Sequence, residues 1–218
     1  MTPAQRRLLI VAMALVLLYT VVRFGVSWNN YSSIDGTAGV WSAIAFDVSQ
    51  GDFYRPLEGD DGFGGTRYFP LYFMLHGVLI ALGVPVVPAG IVLSMLSVAA
   101  LAWALFRLLR RLDAPPLLAA AGCTVLLVST AVQQAISTVR ADAAATAFLV
   151  FGLGFCLGKR SRDPWIAGLF FTLAFATKVT ALYGAGAGFL LLLLAGRMRD
   201  ATRLVAATAV GVVAVAVA

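Results

Sequence analysis

The chain has 218 residues, of which 61% are hydrophobic and 12% charged, and its mean hydropathy is +0.93. A soluble domain carries roughly 25% charged residues, so this composition excludes an ordinary soluble fold and points to a polytopic membrane protein. The formal net charge is +6. Its basic residues fall in short clusters between apolar runs, as topology signals do, which argues against nucleic acid as a partner.

In chain order, Arg6 and Arg7 precede an apolar run over 8–24. No small-x-small cleavage pattern precedes the polar residues around Trp28, so the run reads as an uncleaved first helix with its basic end in the cytoplasm. The one long polar stretch follows, over 34–72, and holds Asp35, Asp47, Asp52, Glu58, Asp60 and Asp61, six of the ten carboxylates. The apolar run at 71–83 is about 13 residues, or ~20 Å of helix against a hydrocarbon core of ~30 Å. Pro85 and Pro88 then interrupt it. Further apolar runs lie at 89–109, 117–133, 143–158, 165–177 and 182–196, and from 204 to the end.

If the short run at 71–83 does not cross, the clusters Arg107/Arg110/Arg111, Lys159/Arg160/Arg162 and Arg197/Arg199/Arg203 all fall on the side of Arg6 and Arg7. If it crosses, all three flip. The positive-inside rule therefore predicts an interfacial or re-entrant 71–83 and an all-α membrane bundle of about seven spans, 1–218 forming a single module with an outer loop at 29–88. Eleven of the sixteen basic residues become cytoplasmic, leaving Arg23, Arg55, Arg67, Arg140 and Lys178 on the outer side with Asp142 and the six loop carboxylates. The locus expected is the plasma (inner) membrane, with the chemistry on the outer face.

Three constellations stand out there. Asp35 precedes a segment at 37–50 whose Val40, Trp41, Ile44 and Val48 have helical spacing, so it sits either as a functional carboxylate near a helix dipole or as a plain N-cap. Arg140 and Asp142 lie between two apolar runs, where charge is costly and commonly functional, or where they form a helix-end salt bridge. Lys178 interrupts an apolar stretch, either snorkelling to the interface or binding an anionic lipid phosphate. His76, Cys123 and Cys156 read as packing residues, with no disulfide framework or CxxC motif. Asp60 and Asp61, in a glycine-rich turn, read first as a solvated acidic turn and second as a divalent-cation site, and no other cofactor is indicated.

The order of these features resembles the N-terminal half of GT-C-fold glycosyltransferases: a first helix, an outward loop with an early Asp, Tyr68-x-Pro70-Leu71-Tyr72, Arg140-x-Asp142, and Thr177-Lys178-x-Thr180-Ala181. The likeness is to the dolichyl-phosphate-mannose protein mannosyltransferase-like and aminoarabinose-transferase-like group. It implies transfer of a sugar from a polyprenyl-phosphate donor to a lipid, glycan or protein acceptor on the outer side. On that resemblance Asp35 is the catalytic base, Arg140 and Lys178 bind the donor phosphate, and Asp142 positions the acceptor or orients Arg140. Tyr54, Tyr68 and Tyr72 would line the cavity, or serve as interfacial belt residues.

The sequence departs from the pattern in three places. Asp35 is followed by Gly36 where many relatives carry Asp-Glu. Tyr68-Phe69-Pro70 replaces the Lys-Pro-Pro turn of the aminoarabinose group. The chain also ends inside an apolar run, so the resemblance implies that a C-terminal part is lacking. The rival reading is a non-catalytic lipid-binding scaffold or transporter fragment, although no inverted repeat with paired broken helices is visible.

Overall fold

The computed structural model describes residues 1–28, 34–53, 58–59, 62–63 and 70–217. The chain enters through α1 (Pro3–Ser27), opened by a capping box: Gln5 N donates to Thr2 Oγ1 at 3.3 Å and Thr2 N donates to Gln5 Oε1 at 2.8 Å. Of its 25 residues only Thr20 and Ser27 are buried. Such an apolar surface is at home against lipid tails rather than water.

Next comes α2 (Gly36–Ser49), then a two-residue antiparallel ladder pairing β1 (Glu58–Gly59) with β2 (Gly62–Phe63), and α3 (Leu71–Ala81). Two features stop α3 after 11 residues. Gly83 takes the left-handed conformation, φ 90°, with its N–H donating to Ile80 O at 2.8 Å, a backbone geometry that glycine adopts without Cβ strain. Pro85 follows as the N-cap of α4 (Val86–Arg111). His76, fully buried, ties the two helices together through its Nε2 and Val86 O at 2.8 Å. Thus α3 hands the chain back to the end of the bundle from which it came.

The remaining elements run back and forth against α4. They are α5 (Pro116–Leu127), α6 (Thr130–Ser137), α7 (Asp142–Cys156), α8 (Asp163–Thr177), a 3-10 turn (Val179–Leu182) leading into α9 (Tyr183–Leu194), and α10 (Met198–Val217). The apolar run expected as one helix over 117–133 is a bent pair instead, with 68° between α5 and α6. The cause is local: Ser129 restarts the helix by accepting from Val132 N at 3.4 Å, and Gln133 Nε2 donates to the freed Leu127 O at 2.6 Å. These side chains supply the partners that a break at membrane depth requires.

Among the described residues three helices, α1, α4 and α10, are long and apolar enough to cross a membrane, or four spans if the bent α5–α6 pair counts as one. The apolar stretches of α3, α7, α8 and 179–194 are shorter. Side-chain contacts nonetheless define two ends. Arg111 donates to Gly154 O and Arg197 Nη1 donates to Cys156 O at 2.8 Å, so the end of α4, the end of α7 and the start of α10 lie together. At the opposite end Arg23 Nη2 donates to Ser137 Oγ at 3.3 Å, and the start of α4 meets the start of α7 through Ser94 and Arg140. Among the described residues α4 and α7 run between these two ends while α2 and α3 pack at the second, and the spans expected from the sequence, about seven, stand against three or four long enough to cross. The basic clusters around Arg107, Lys159 and Arg197, expected on one side, lie together at the first end.

Small residues set how closely the helices approach, as is usual where no hydrophobic gain separates lipid from protein. The Phe171 ring, fully buried in the α7–α10 core, lies where methyls on Gly152 and Gly188 would come within 2.6 and 2.9 Å of it. Near the second end a Cβ on Gly90 of α4 would stand 2.6 Å from Val139 Cγ2 and 2.7 Å from His76 Cε1. Gly90→Ala is therefore expected to lower stability by about 1–3 kcal/mol through overpacking. Gly186→Ala, where nothing lies within 4 Å of the added methyl, should be neutral or slightly stabilising. Thermal unfolding of the two variants in detergent checks the contrast.

Candidate functional site

At the second end α6 stops at Ser137 and α7 begins at Asp142, leaving an extended step whose Thr138 has φ −149° and ψ 176°. Helical hydrogen bonds are missing across this step, and Ser94 of α4 replaces them. Its fully buried Oγ accepts from Arg140 N at 3.0 Å and lies 3.4 Å from Arg140 O, to which it can donate. The Tyr72 hydroxyl joins the same oxygen at 3.0 Å. Beneath the step, Val139 and Ala141 pack with Ala38, Trp41 and Ala45 of α2 and with Tyr72 and Phe73 of α3. Trp41 meets Tyr72 and Phe73 with ring centroids 6.0 and 6.1 Å apart, within the range at which tilted and edge-on aromatic pairs attract.

This apolar floor fixes the chain direction at three points and turns charged side chains outward. Asp35, N-cap of α2, accepts from Ala38 N at 2.8 Å through Oδ1, and its Oδ2 pairs with Arg140 Nη2. Asp142, the first residue of α7, pairs through Oδ1 with Lys178 Nζ, which stands just past the end of α8. The four side chains are between 27% and 50% exposed, open to solvent but seated on the floor. As helix-start residues, Asp35 and Asp142 also face the positive ends of the α2 and α7 dipoles.

The structure thus gathers Asp35, Arg140, Asp142 and Lys178 at one end of the bundle. The N-cap reading of Asp35 holds together with its ion pair. Arg140 and Asp142 are not partners of each other: each reaches to a carboxylate or amine far along the chain, so the helix-end salt bridge between them is replaced by two long-range pairs. It is Asp35, rather than Asp142, that meets the Arg140 guanidinium. Tyr72, expected on a cavity wall, is buried, with its hydroxyl engaged by Ser94, so it supports the site from below. Burial holds that phenol above its ordinary pKa range. Tyr54, Tyr68, Asp60 and Asp61 lie outside the described residues.

Sequence reasoning missed Ser94 and Gly90. Both are small residues inside an apolar run, and no local signal separates them from the other small residues of α4. An apolar recess of about 560 Å³, which none of the four charged residues lines, lies among Leu71 and Met74 of α3, Ala176 of α8 and Ala214 of α10. It reaches within two residues of Lys178. Among the described residues no three His, Cys, Asp or Glu side chains gather as a metal site.

The family model for glycosyltransferase family 87 matches residues 68–218. That span takes in Tyr72, Ser94, Arg140, Asp142 and Lys178, while Asp35 precedes it. The match names neither the protein-mannosyltransferase-like nor the aminoarabinose-transferase-like group. No curated protein and no solved structure matches the chain.

Ser94 closes the backbone of the 138–141 step onto α4, so Ser94→Ala leaves the Arg140 N–H short of its partner, while the Tyr72 hydroxyl keeps a longer contact to Gly90 O at 3.5 Å. The expected cost is about 1–3 kcal/mol. Thermal unfolding of Ser94→Ala against Tyr72→Phe, which leaves the Arg140 N–H partnered, should rank the serine variant as the more damaging.

Proposed function

The chain belongs to glycosyltransferase family 87, and from that premise we propose that it transfers a sugar from a polyprenyl-phosphate-linked donor to a lipid, glycan or protein acceptor at the outer face of the plasma membrane, on a GT-C-type helical frame. The observation that carries this reading is the convergence of two carboxylates and two cations at the end of the bundle opposite the arginine clusters. The positive-inside rule assigns the clusters to the cytoplasm and hence this site to the outer side.

In the proposed reaction the acceptor oxygen attacks the anomeric carbon as the bond from that carbon to the phosphate oxygen breaks, with inversion. Asp35 takes the acceptor proton. The bond's electrons leave with the phosphate, which changes from a singly charged diester to a doubly charged monoester. Arg140 has five N–H donors and Lys178 three, so each can hold its carboxylate and still bind phosphate. As Asp35 becomes neutral, Arg140 loses its counter-charge while negative charge grows on the leaving group, and its attraction to the phosphate strengthens at the transition state. Asp142 keeps Lys178 aimed at the site or contacts the acceptor. The apolar recess lined in part by Ala176, two residues before Lys178, offers room for the first isoprene units of the donor.

Asp35→Asn separates chemistry from folding, because asparagine caps a helix as well as aspartate does. With a polyprenyl-phosphate sugar donor and purified protein in nanodiscs, transfer should fall by about 100-fold or more while melting temperature and donor binding stay near the wild type. An unchanged rate removes Asp35 as the base. Lys178→Met is expected to weaken donor binding about 10-fold or more. Should neither Lys178→Met nor Arg140→Gln change donor binding, the phosphate reading is lost. Donor binding without turnover on any acceptor would favour the non-catalytic lipid-binding alternative.

A further inference from the structure

At the other end of the bundle, a bundle-length away from Asp35, the cations of two chain segments surround one recess of about 730 Å³. Arg107 and Arg111 reach it from the last turns of α4, and Lys159, Arg160 and Arg162 from the turn between α7 and α8. Among the described residues none of these five forms an ion pair. The carboxylate within the recess, Asp163, is buried and committed to the turn, its Oδ2 accepting from Arg160 N at 2.9 Å. Like charges held this close repel, and an anion among them removes the repulsion.

A second observation concerns what adjoins the recess. A groove of about 230 Å³ shares Arg107, Arg111 and Phe155 with it and continues along Trp103, Phe151 and Phe170. Phe170 stacks on Phe151 and Phe155 with centroids 5.2 and 5.6 Å apart. The two arginines are held against this apolar surface: the Arg107 guanidinium lies 5.8 Å over the Trp103 ring and that of Arg111 lies 5.0 Å over Phe155. Topology alone asks that cations stay on one side of the membrane. It does not ask that two separate segments place them around one recess continuous with an aromatic slot.

We propose that this end holds an anionic glycerophospholipid, its phosphate among Arg107, Arg111, Lys159, Arg160 and Arg162 and an acyl chain in the Trp103–Phe170 groove. Charge complementarity sets the headgroup, because the recess presents five cations to the membrane surface. The apolar continuation sets the rest: a free phosphate fills only the recess, whereas a lipid fills both. The site differs from the proposed donor site in end, partners and ligand, so either can fail without the other.

The test uses the full chain in nanodiscs of phosphatidylcholine carrying a small fraction of phosphatidylglycerol, with retained lipid counted by mass spectrometry after detergent washing. The wild type should retain phosphatidylglycerol over phosphatidylcholine. The triple variant Arg107→Gln, Lys159→Gln, Arg162→Gln should lose about tenfold or more of that preference. Arg6→Gln with Arg7→Gln, which also removes charge from this end but not from the recess, should retain it, as should transferase activity towards the polyprenyl-phosphate donor in the triple variant. A groove variant, Phe170→Ala, should weaken retention with every cation in place. Equal loss in the recess and Arg6/Arg7 variants would overturn the proposal in favour of bulk charge, and displacement of the lipid by millimolar inorganic phosphate would reduce it to a phosphate site.

Discussion

One hydroxyl carries an unusual share of this structure. Between α6 and α7 the backbone leaves helical geometry, and because Thr138, Val139 and Ala141 are buried the freed N–H and C=O groups need partners within the protein. Ser94 meets Arg140 on both its N–H and its C=O while also engaging Tyr72. That contact decides the direction in which Arg140 and Asp142 leave the chain. It is possible because Gly90, one turn earlier on α4, lets Val139 and His76 come closer than any side chain would permit.

On that floor the four charged side chains form two neutral pairs. Each unites positions more than thirty residues apart, Asp35 with Arg140 and Asp142 with Lys178. Half-exposed ion pairs contribute little to stability on their own, about 0–1 kcal/mol each. Stability alone therefore gives little account of their arrangement at one end of the bundle, and the proposed role in glycosyl transfer rests on that arrangement together with membership of glycosyltransferase family 87. In the proposed mechanism the pairing has a chemical use: the charge that Asp35 gives up on protonation is the charge that the departing phosphate gains.

The two ends of the bundle are chemically opposite. One carries paired charges over an aromatic floor formed by Trp41, Tyr72 and Phe73. The other carries four arginines and Lys159, without ion pairs among the described residues, around a recess backed by Trp103, Phe155 and Phe170. α4 connects them, and it is the most buried of the three long apolar helices. Its first turns carry Ser94 beneath the paired site and its last turns carry Arg107 and Arg111.

Composition and charge spacing by themselves determined that this is an all-α membrane protein, and they led to the expectation that the basic clusters share an end and that 71–83, short and followed by Pro85 and Pro88, does not cross. These follow from local physics: apolar length, backbone punctuation and the cost of charge in lipid. Asp35, Arg140, Asp142 and Lys178 were also visible, because a charge in an apolar run is conspicuous. Their partners were not. Sequence proximity suggested Arg140 with Asp142, and only the crossing of α2, α4, α7 and α8 placed each beside a distant counter-charge. The break between α5 and α6 was equally hidden, since Ser129 and Gln133 look like ordinary polar residues until one restarts a helix and the other reaches back to Leu127 O. Ser94 and Gly90 matter through what packs against them, and small residues in an apolar helix carry no mark of that until the neighbouring helices are in place.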